Sequence, residues 1–280
     1  MSLKPVTNET GPPIGTTSRA LHPTVVRHGK TSKTTRLIPE EVPVALVFDG
    51  GTQAVMMATP ADLEDFAIGF AITERIIKRV SEVTRMETVS QPLGIEVRLW
   101  LKPDQARQLA KRRRATTGPT GCGLCGIESL EAATLSSPAV TGNQSFTPLD
   151  IANAISALGA NQDLNAQTHA VHAAGFWTRD AGLVALHEDV GRHNALDKLI
   201  GQLSREHVNP ADGMIVLTSR ISLDLVQKAA VFGASVIVAI SAPTGLAVDT
   251  ANACGLTLVG IARSDGFEIF SHPDRIREQV

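Results

Sequence analysis

Three short, uninterrupted apolar runs, Met214 to Leu217, Val236 to Ile240 and Leu256 to Ile261, constrain this chain most. A run without polar alternation fits a strand covered on both faces, and each run is separated from the next by a helix-like segment. That alternation predicts parallel strands joined by right-handed crossovers in an α/β domain, with ligands bound beyond the carboxyl ends of the strands. The residues at those ends are Thr218-Ser219-Arg220, Ser241-Ala-Pro243-Thr244-Gly245 and Arg263-Ser264-Asp265-Gly266, all small, polar or cationic apart from Ala242 and Pro243. Thr244-Gly245 also opens a helix whose free amides can hold a phosphate, so a nucleotide-sized anion fits this rim. Polar loops at strand ends are equally what any α/β domain shows.

Upstream the pattern is different. Val42 to Phe48 and Thr52 to Thr59 read as two strands around the turn Asp49-Gly50-Gly51. Thr59-Pro60 then opens a helix with threonine as N-cap, proline at its first position and acids in its first turn. Leu63, Phe66, Ala67, Phe70 and Ile77 share a face that should be buried. Strands at about 83–89 and 95–101 lead into a helix from Pro103 that ends in Lys111-Arg112-Arg113-Arg114. Further on, a helix over about 148–163 precedes a hairpin of 170–177 and 183–186 turning at Arg179-Asp180-Ala-Gly182. The reading is a small α+β module over residues 41–145 and an α/β domain over 146–280. Residues 1–40, rich in Pro, Thr, Ser and Gly with Lys and Arg, show no periodicity and read as a flexible segment.

A chain of 280 residues, 43% of them apolar, can bury the core that two such modules need. The net charge of −2 argues against general nucleic-acid binding. No apolar run reaches transmembrane length and the polar, proline-bearing start is unlike a signal peptide, so no membrane is expected. Three cysteines, two of them close together, make no secreted disulfide framework, which points to the cytoplasm.

Those two cysteines, Cys122 and Cys125, form a Cys-x-x-Cys set within Thr117-Gly-Pro-Thr-Gly-Cys-Gly-Leu-Cys-Gly-Ile127. Its many glycines favour a mobile loop over a clamped thiol pair. Three chemistries compete: a zinc half-site, which lacks a second Cys-x-x-Cys; a redox disulfide, which expects a helix start directly after a strand; and a persulfide carrier, which must visit a donor and then an acceptor. The four cations at 111–114 would favour a thiolate and attract phosphate, or simply end a helix in solvent.

A second polar concentration is His187-Glu188-Asp189-Val-Gly-Arg192-His193-Asn194, followed by Ala-Leu-Asp197-Lys198. So many ionisable groups at a strand-to-helix junction suggest function rather than a plain turn, and His187, Asp189 and His193 are candidates to manage protons or the docked position of the cysteine loop. His169 and His172, at the head of an apolar strand, read as core or rim histidines. A nucleobase deaminase needs His-x-Glu followed by Pro-Cys-x-x-Cys. Here the Cys-x-x-Cys comes first, no proline touches it, and His169-Ala-Val171 lacks the acid, all of which argues against deamination.

Taken in order, Phe48-Asp-Gly-Gly, Cys122-Gly-Leu-Cys125-Gly, the string from His187 to Lys198, Thr218-Ser-Arg and Ser241-Ala-Pro-Thr resemble the FdhD/NarQ family of formate dehydrogenase accessory sulfurtransferases. The resemblance runs from about residue 40 to the C-terminus. It implies a carrier that accepts persulfide sulfur from an IscS-type cysteine desulfurase. The sulfur then passes to the molybdenum of bis(molybdopterin guanine dinucleotide) before that cofactor enters formate dehydrogenase. By motif, Cys122 would bear the persulfide with Cys125 as its partner, and Ile261, Ala262, Arg263, Ser264, Asp265 and Gly266 would form the cofactor-binding stretch. The resemblance also implies a homodimer, and a cytidine deaminase-like three-layer αβα C-terminal domain with a mixed, largely parallel sheet. No permanent metal is expected. The alternative of another class is a cofactor-binding chaperone without sulfur chemistry, its cysteines holding zinc or idle.

Overall fold

A computed structural model describes residues 11–115 and 137–277 of the chain. It opens with a two-stranded ribbon, in which β1 (Ser18–Leu21) pairs antiparallel with β4 (Arg36–Pro39), and β2 (Thr24–Arg27) with β3 (Lys30–Lys33). The tip residues His28 and Gly29 both have positive φ, the turn geometry that suits strand twist. The sequence suggested an unpatterned lead-in here. The difference has a physical reason: nearly every ribbon side chain is exposed, so neither face carries the alternation by which strands are recognised.

β5 (Val42–Phe48) and β6 (Gly51–Ala58) form the expected hairpin, with Asp49 at φ 48 and Gly50 at φ 78 in the turn. Against α1 (Leu63–Thr73), β7 (Val83–Gln91) and β8 (Gly94–Leu101) complete a four-stranded sheet ordered β6-β5-β8-β7. Val44, Leu46 and Phe48 alternate along β5 and join Ile95, Val97 and Leu99 of β8 in one buried apolar face. α1 is buried throughout from Phe66 to Thr73, which makes it a core helix and not a surface one. It begins at Leu63 rather than beside Thr59, and Asp62 occupies its cap position at φ 53 without a side-chain cap bond. Thr59 was free to cap nothing because its polar groups are committed to the second half of the chain. After β8 comes α2 (Pro103–Ala115), whose Arg112 donates to the carbonyls of Glu74 and Arg75 just past the end of α1, where the helix is partially negative.

The second half runs α3 (Pro148–Ala160), α4 (Asp163–Thr168), β9 (His172–Thr178), β10 (Gly182–Asp189), α5 (Arg192–Arg205), β11 (Gly213–Leu217), α6 (Leu223–Phe232), β12 (Val236–Ala239), α7 (Gly245–Cys254), β13 (Thr257–Arg263) and β14 (Gly266–Ser271). Its six strands form one sheet ordered β10-β9-β11-β12-β13-β14. The centre, β11-β12-β13, is parallel with α6 and α7 as its crossovers, as the apolar runs imply. β9, β10 and β14 run antiparallel to their neighbours and make the sheet mixed. Met214, Val216, Val236, Val238 and Val259 pack with α3 on one face, while Ile215, Leu217, Ile237, Ala239 and Leu258 pack with α5, α6 and α7 on the other. The result is a three-layer αβα arrangement. Among the described residues no helix is long and apolar enough to cross a membrane.

The core on the α5 side continues through α1 into the first sheet, as one cluster of buried side chains that includes Val44 and Leu258. α1 and α5 meet at two glycines. A Cβ on Gly69 would stand 1.7 Å from the carbonyl oxygen of Asp197, and one on Gly201 would stand 1.8 Å from that of Asp65. The absence of side chains at these two positions therefore sets how closely the helices approach. Gly69→Ala and Gly201→Ala should each lower stability by about 3 kcal/mol, read as a lower midpoint in chemical denaturation. Gly159→Ala, at a helical position with open space around its Cβ, should leave the midpoint unchanged or raise it.

Candidate functional site

Because β9 runs antiparallel to β11, its first residue His172 lies at the same end of the sheet as the carboxyl ends of β10 to β13. α5, α6 and α7 all begin at this end, so three helix N-termini with partial positive charge meet the rim. The loops are fastened to one another. The Ile221 N–H donates to Ala242 O, the Thr244 N–H to Ile221 O and the Ile261 N–H to Ser241 O. Thr218 Oγ1 accepts from the Ala173 N–H at 2.9 Å, and Thr244 caps α7 by accepting from the Ala247 N–H. Four interstrand steps separate β10 from β13, so the rim is roughly 19 Å wide, enough for a nucleotide-sized ligand.

One arginine and two histidines gather on its β9–β10 side. Arg192 is the first residue of α5, and its buried Nε has no hydrogen-bond partner among the described residues. A buried guanidinium donor left without an acceptor is costly, and an anion is the natural remedy. His193 sits next to it, with Nε2 at 3.5 Å from Ser222 Oγ and 3.6 Å from the Asp224 carboxylate, linking the starts of α5 and α6. Burial, and then the Arg192 charge, lower the His193 pKa from 6.5 to about 4 against the pull of Asp224. The same two causes in the same order lower His172. Both imidazoles are thus neutral near pH 7 and can donate or accept without adding repulsion to Arg192.

The stretch from Ile261 to Gly266 lies on the other side of the rim. Ile261 has φ 53 within a break of register between β13 and β14, an unusual conformation for a β-branched residue that bends the strand. Ala262 points into the core, 1% exposed. Arg263 pairs with Gly266 across the two-residue turn Ser264-Asp265, and all four are exposed. Cys122, Cys125 and the whole stretch 117–127 lie outside the described residues. The third cysteine, Cys254, is buried on α7, where burial pushes its thiol pKa up. Among the described residues no group of three or more His, Cys, Asp or Glu could hold a metal ion.

The polar string at 187–198 divides into two roles. His193 and Arg192 face the rim, but His187 and Asp189 are interior. Asp189 is fully buried; its carboxylate accepts from Lys198 Nζ at 2.6 Å, the Thr59 N–H at 3.0 Å, the Gly191 N–H at 2.7 Å and Asn194 Nδ2 at 2.9 Å. Lys198 also donates to Thr59 O, and Asn194 to Met57 O, so the string grips the end of β6. His187 places its ring nitrogens 3.1 Å from Asp62 and 2.8 Å from Gln202. Of the three candidates for managing protons or the loop's docked position, His193 reaches the rim, whereas His187 and Asp189 hold the junction of β6, α1 and α5. Sequence reasoning missed a parallel clasp, in which Lys228 of α6 donates to both Asp197 oxygens and to Thr73 of α1. The available signal was a lysine in line with the apolar face of α6.

Lys198→Met would leave the Asp189 carboxylate buried without its cation, and should cost roughly 3–5 kcal/mol in unfolding free energy. The His193 resonance should titrate near 4, and should move up in Arg192→Gln and on saturation with inorganic diphosphate. An unchanged midpoint in diphosphate would remove the cluster as an anion site. Since an exposed histidine takes up its proton near 6.5, the unfolded chain protonates first, and the contribution of His193 to stability is complete above that value and falls as pH drops toward 4.

The sequence profile of the FdhD/NarQ family matches residues 39–277. The chain is 48% identical over 254 residues to the sulfur carrier protein FdhD of Agrobacterium fabrum, covering 90% of this chain and 94% of that protein. It is 48% identical over 262 residues to that of Brucella abortus, covering 93% and 97%. A crystal structure of a protein assigned as a formate dehydrogenase accessory protein from Desulfotalea psychrophila superposes with a TM-score of 0.72 at 25% identity, covering 93% of this chain and 100% of that one. An extent of match that takes in both larger sheets and the rim leaves one conclusion: the chain belongs to the FdhD/NarQ family.

Proposed function

We propose that this chain is a sulfur carrier serving formate dehydrogenase, a sulfurtransferase that relays persulfide sulfur to the molybdenum cofactor. The observation that carries the reading is the buried, unpartnered Arg192 Nε at a rim where three helix N-termini meet, an arrangement that suits an anion. It stands in a chain whose relatives are named sulfur carriers. The substrate that accepts the sulfur, Mo-bis(molybdopterin guanine dinucleotide), carries diphosphate groups that suit this cradle. Arg192, with His172 and His193 neutral beside it, would hold a phosphate on one side of the rim. The exposed turn from Arg263 to Gly266 offers a cation and polar groups to the guanine nucleotide on the other, with Ile261 and Ala262 shaping the strand that carries it.

The sulfur chemistry belongs to Cys122. Its thiolate attacks the terminal sulfur of a persulfide on an IscS-type cysteine desulfurase, forming an S–S bond on Cys122 and releasing the donor's thiolate. Delivery as sulfide breaks that bond and needs two electrons, which the Cys125 thiolate supplies by closing a disulfide with Cys122. The cofactor then passes to formate dehydrogenase. Free thiols of this kind need a reducing compartment, which places the reaction in the cytoplasm, and the active form is a homodimer.

Intact-mass measurement after incubation with a cysteine desulfurase and cysteine should show added mass in steps of about 32 Da, one sulfur atom each. The adduct should vanish in Cys122→Ala. Absence of any adduct, with retained binding of a guanine nucleotide, would overturn sulfur transfer in favour of a cofactor-binding chaperone.

A further inference from the structure

The ribbon from Ser18 to Pro39 lies beyond the family match, apart from its last residue, and the cofactor site makes no use of it. It carries Arg19, Arg27, Lys30, Lys33 and Arg36 and no acid, a charge of +5, so that the rest of a chain at −2 overall carries −7. Only Arg19 has an ion-pair partner, Glu40 at 3.3 Å; the other four have none among the described residues. The pairing keeps one register from Ser18↔Pro39 to Arg27↔Lys30. Strand alternation therefore gathers Arg19, Arg27, Lys30 and Arg36 on one face, with Leu21 between them. Arg27 directly opposes Lys30, a like-charge pair that destabilises an isolated ribbon. Two strands with this little burial are marginal by themselves, and Leu21 is exposed on the basic face, with Val26 and Leu37 exposed on the other. Both features ask for an anionic, partly apolar surface laid against the ribbon.

Such a surface exists at the ribbon's own base. A cavity of about 440 Å³ opens there between the two halves, lined by Thr17, Asp62, Asp163, Leu183, Leu186 and Glu188. Asp163 is exposed and has no ion-pair partner among the described residues, and β10 beside it is an outer strand of its sheet. The root of the ribbon already packs, through β4, against the helix α4 that carries Asp163, while the basic tip at Arg27 and Lys30 has no ion-pair partner among the described residues. A second copy can reach the cavity, and a two-fold contact requires that the basic and the acidic elements lie side by side on one surface, as these do.

We propose that two copies exchange ribbons, each laying its basic face across the acidic cavity at the base of its partner's ribbon. The inference rests on the homodimer reading above and assigns its contact. Charge complementarity of this kind sets association and salt dependence.

The test is sedimentation velocity on the full chain, with two variants at exposed positions, Arg27→Glu/Lys30→Glu and Asp163→Lys. The unaltered chain should be a dimer that weakens with salt. Each variant alone should raise the dimer dissociation constant at least about tenfold. An equimolar mixture should restore dimers, because in the mixed pair both contacts are complementary, altered ribbon to Lys and native ribbon to Asp. If the unaltered chain is a dimer but the variants or their mixture behave as it does, ribbon exchange is overturned and the homodimer stands. A chain that is monomeric at all concentrations overturns both, whereas a ribbon that binds anionic vesicles or nucleic acid in place of a second copy overturns ribbon exchange alone.

Discussion

The carboxylate of Asp189 is the point on which the rest of this structure depends. A charge with no solvent contact is unfavourable unless its partners replace water, and here the Lys198 ammonium, two backbone amides and a side-chain amide do so. Two of those partners sit at the start of α5 and one belongs to Thr59 at the end of β6. One buried group thus fixes where α5 begins and where the first sheet attaches. The start of α5 is also where Arg192 and His193 enter the rim, so the position of the proposed anion cradle is inherited from a salt bridge buried behind it. A loosely held cradle would have to reorganise on each binding event; this one is set in advance by groups that cannot move without exposing a charge to the core.

The electrostatics of the rim follow a simple division. The helix N-termini and Arg192 supply positive potential, and the two histidines beside Arg192 are kept neutral by burial and by that same cation. Were they charged, three cations would repel one another before an anion arrived. Neutral imidazoles leave Arg192 as the focus and remain available as hydrogen-bond partners.

What could be read from the sequence was what period and turn chemistry encode. The apolar runs near 214, 236 and 256 became the parallel centre of the sheet, and Asp49-Gly50 became the turn it promised. Long-range polar pairing has no such period. Thr59 followed by proline has every mark of an N-cap, yet its amide and carbonyl answer to residues 130 and more positions away. The density of charge from His187 to Lys198 was visible, but its division between a structural clasp and a binding rim depends on which side chains reach the core. The ribbon escaped for the opposite reason, because a strand exposed on both faces leaves no hydrophobic imprint. Of the rim, the polar strand ends were legible in advance, while the unsatisfied Arg192 nitrogen and the neutral histidines emerge only from burial.

The glycine contact between α1 and α5 reaches further than local packing. A helix buried on every side belongs to neither sheet alone, and two backbones in direct touch leave no lubricating layer of side chains between them. The described body has no seam at which to hinge. Two sheets joined this closely behave as a single stiff anvil.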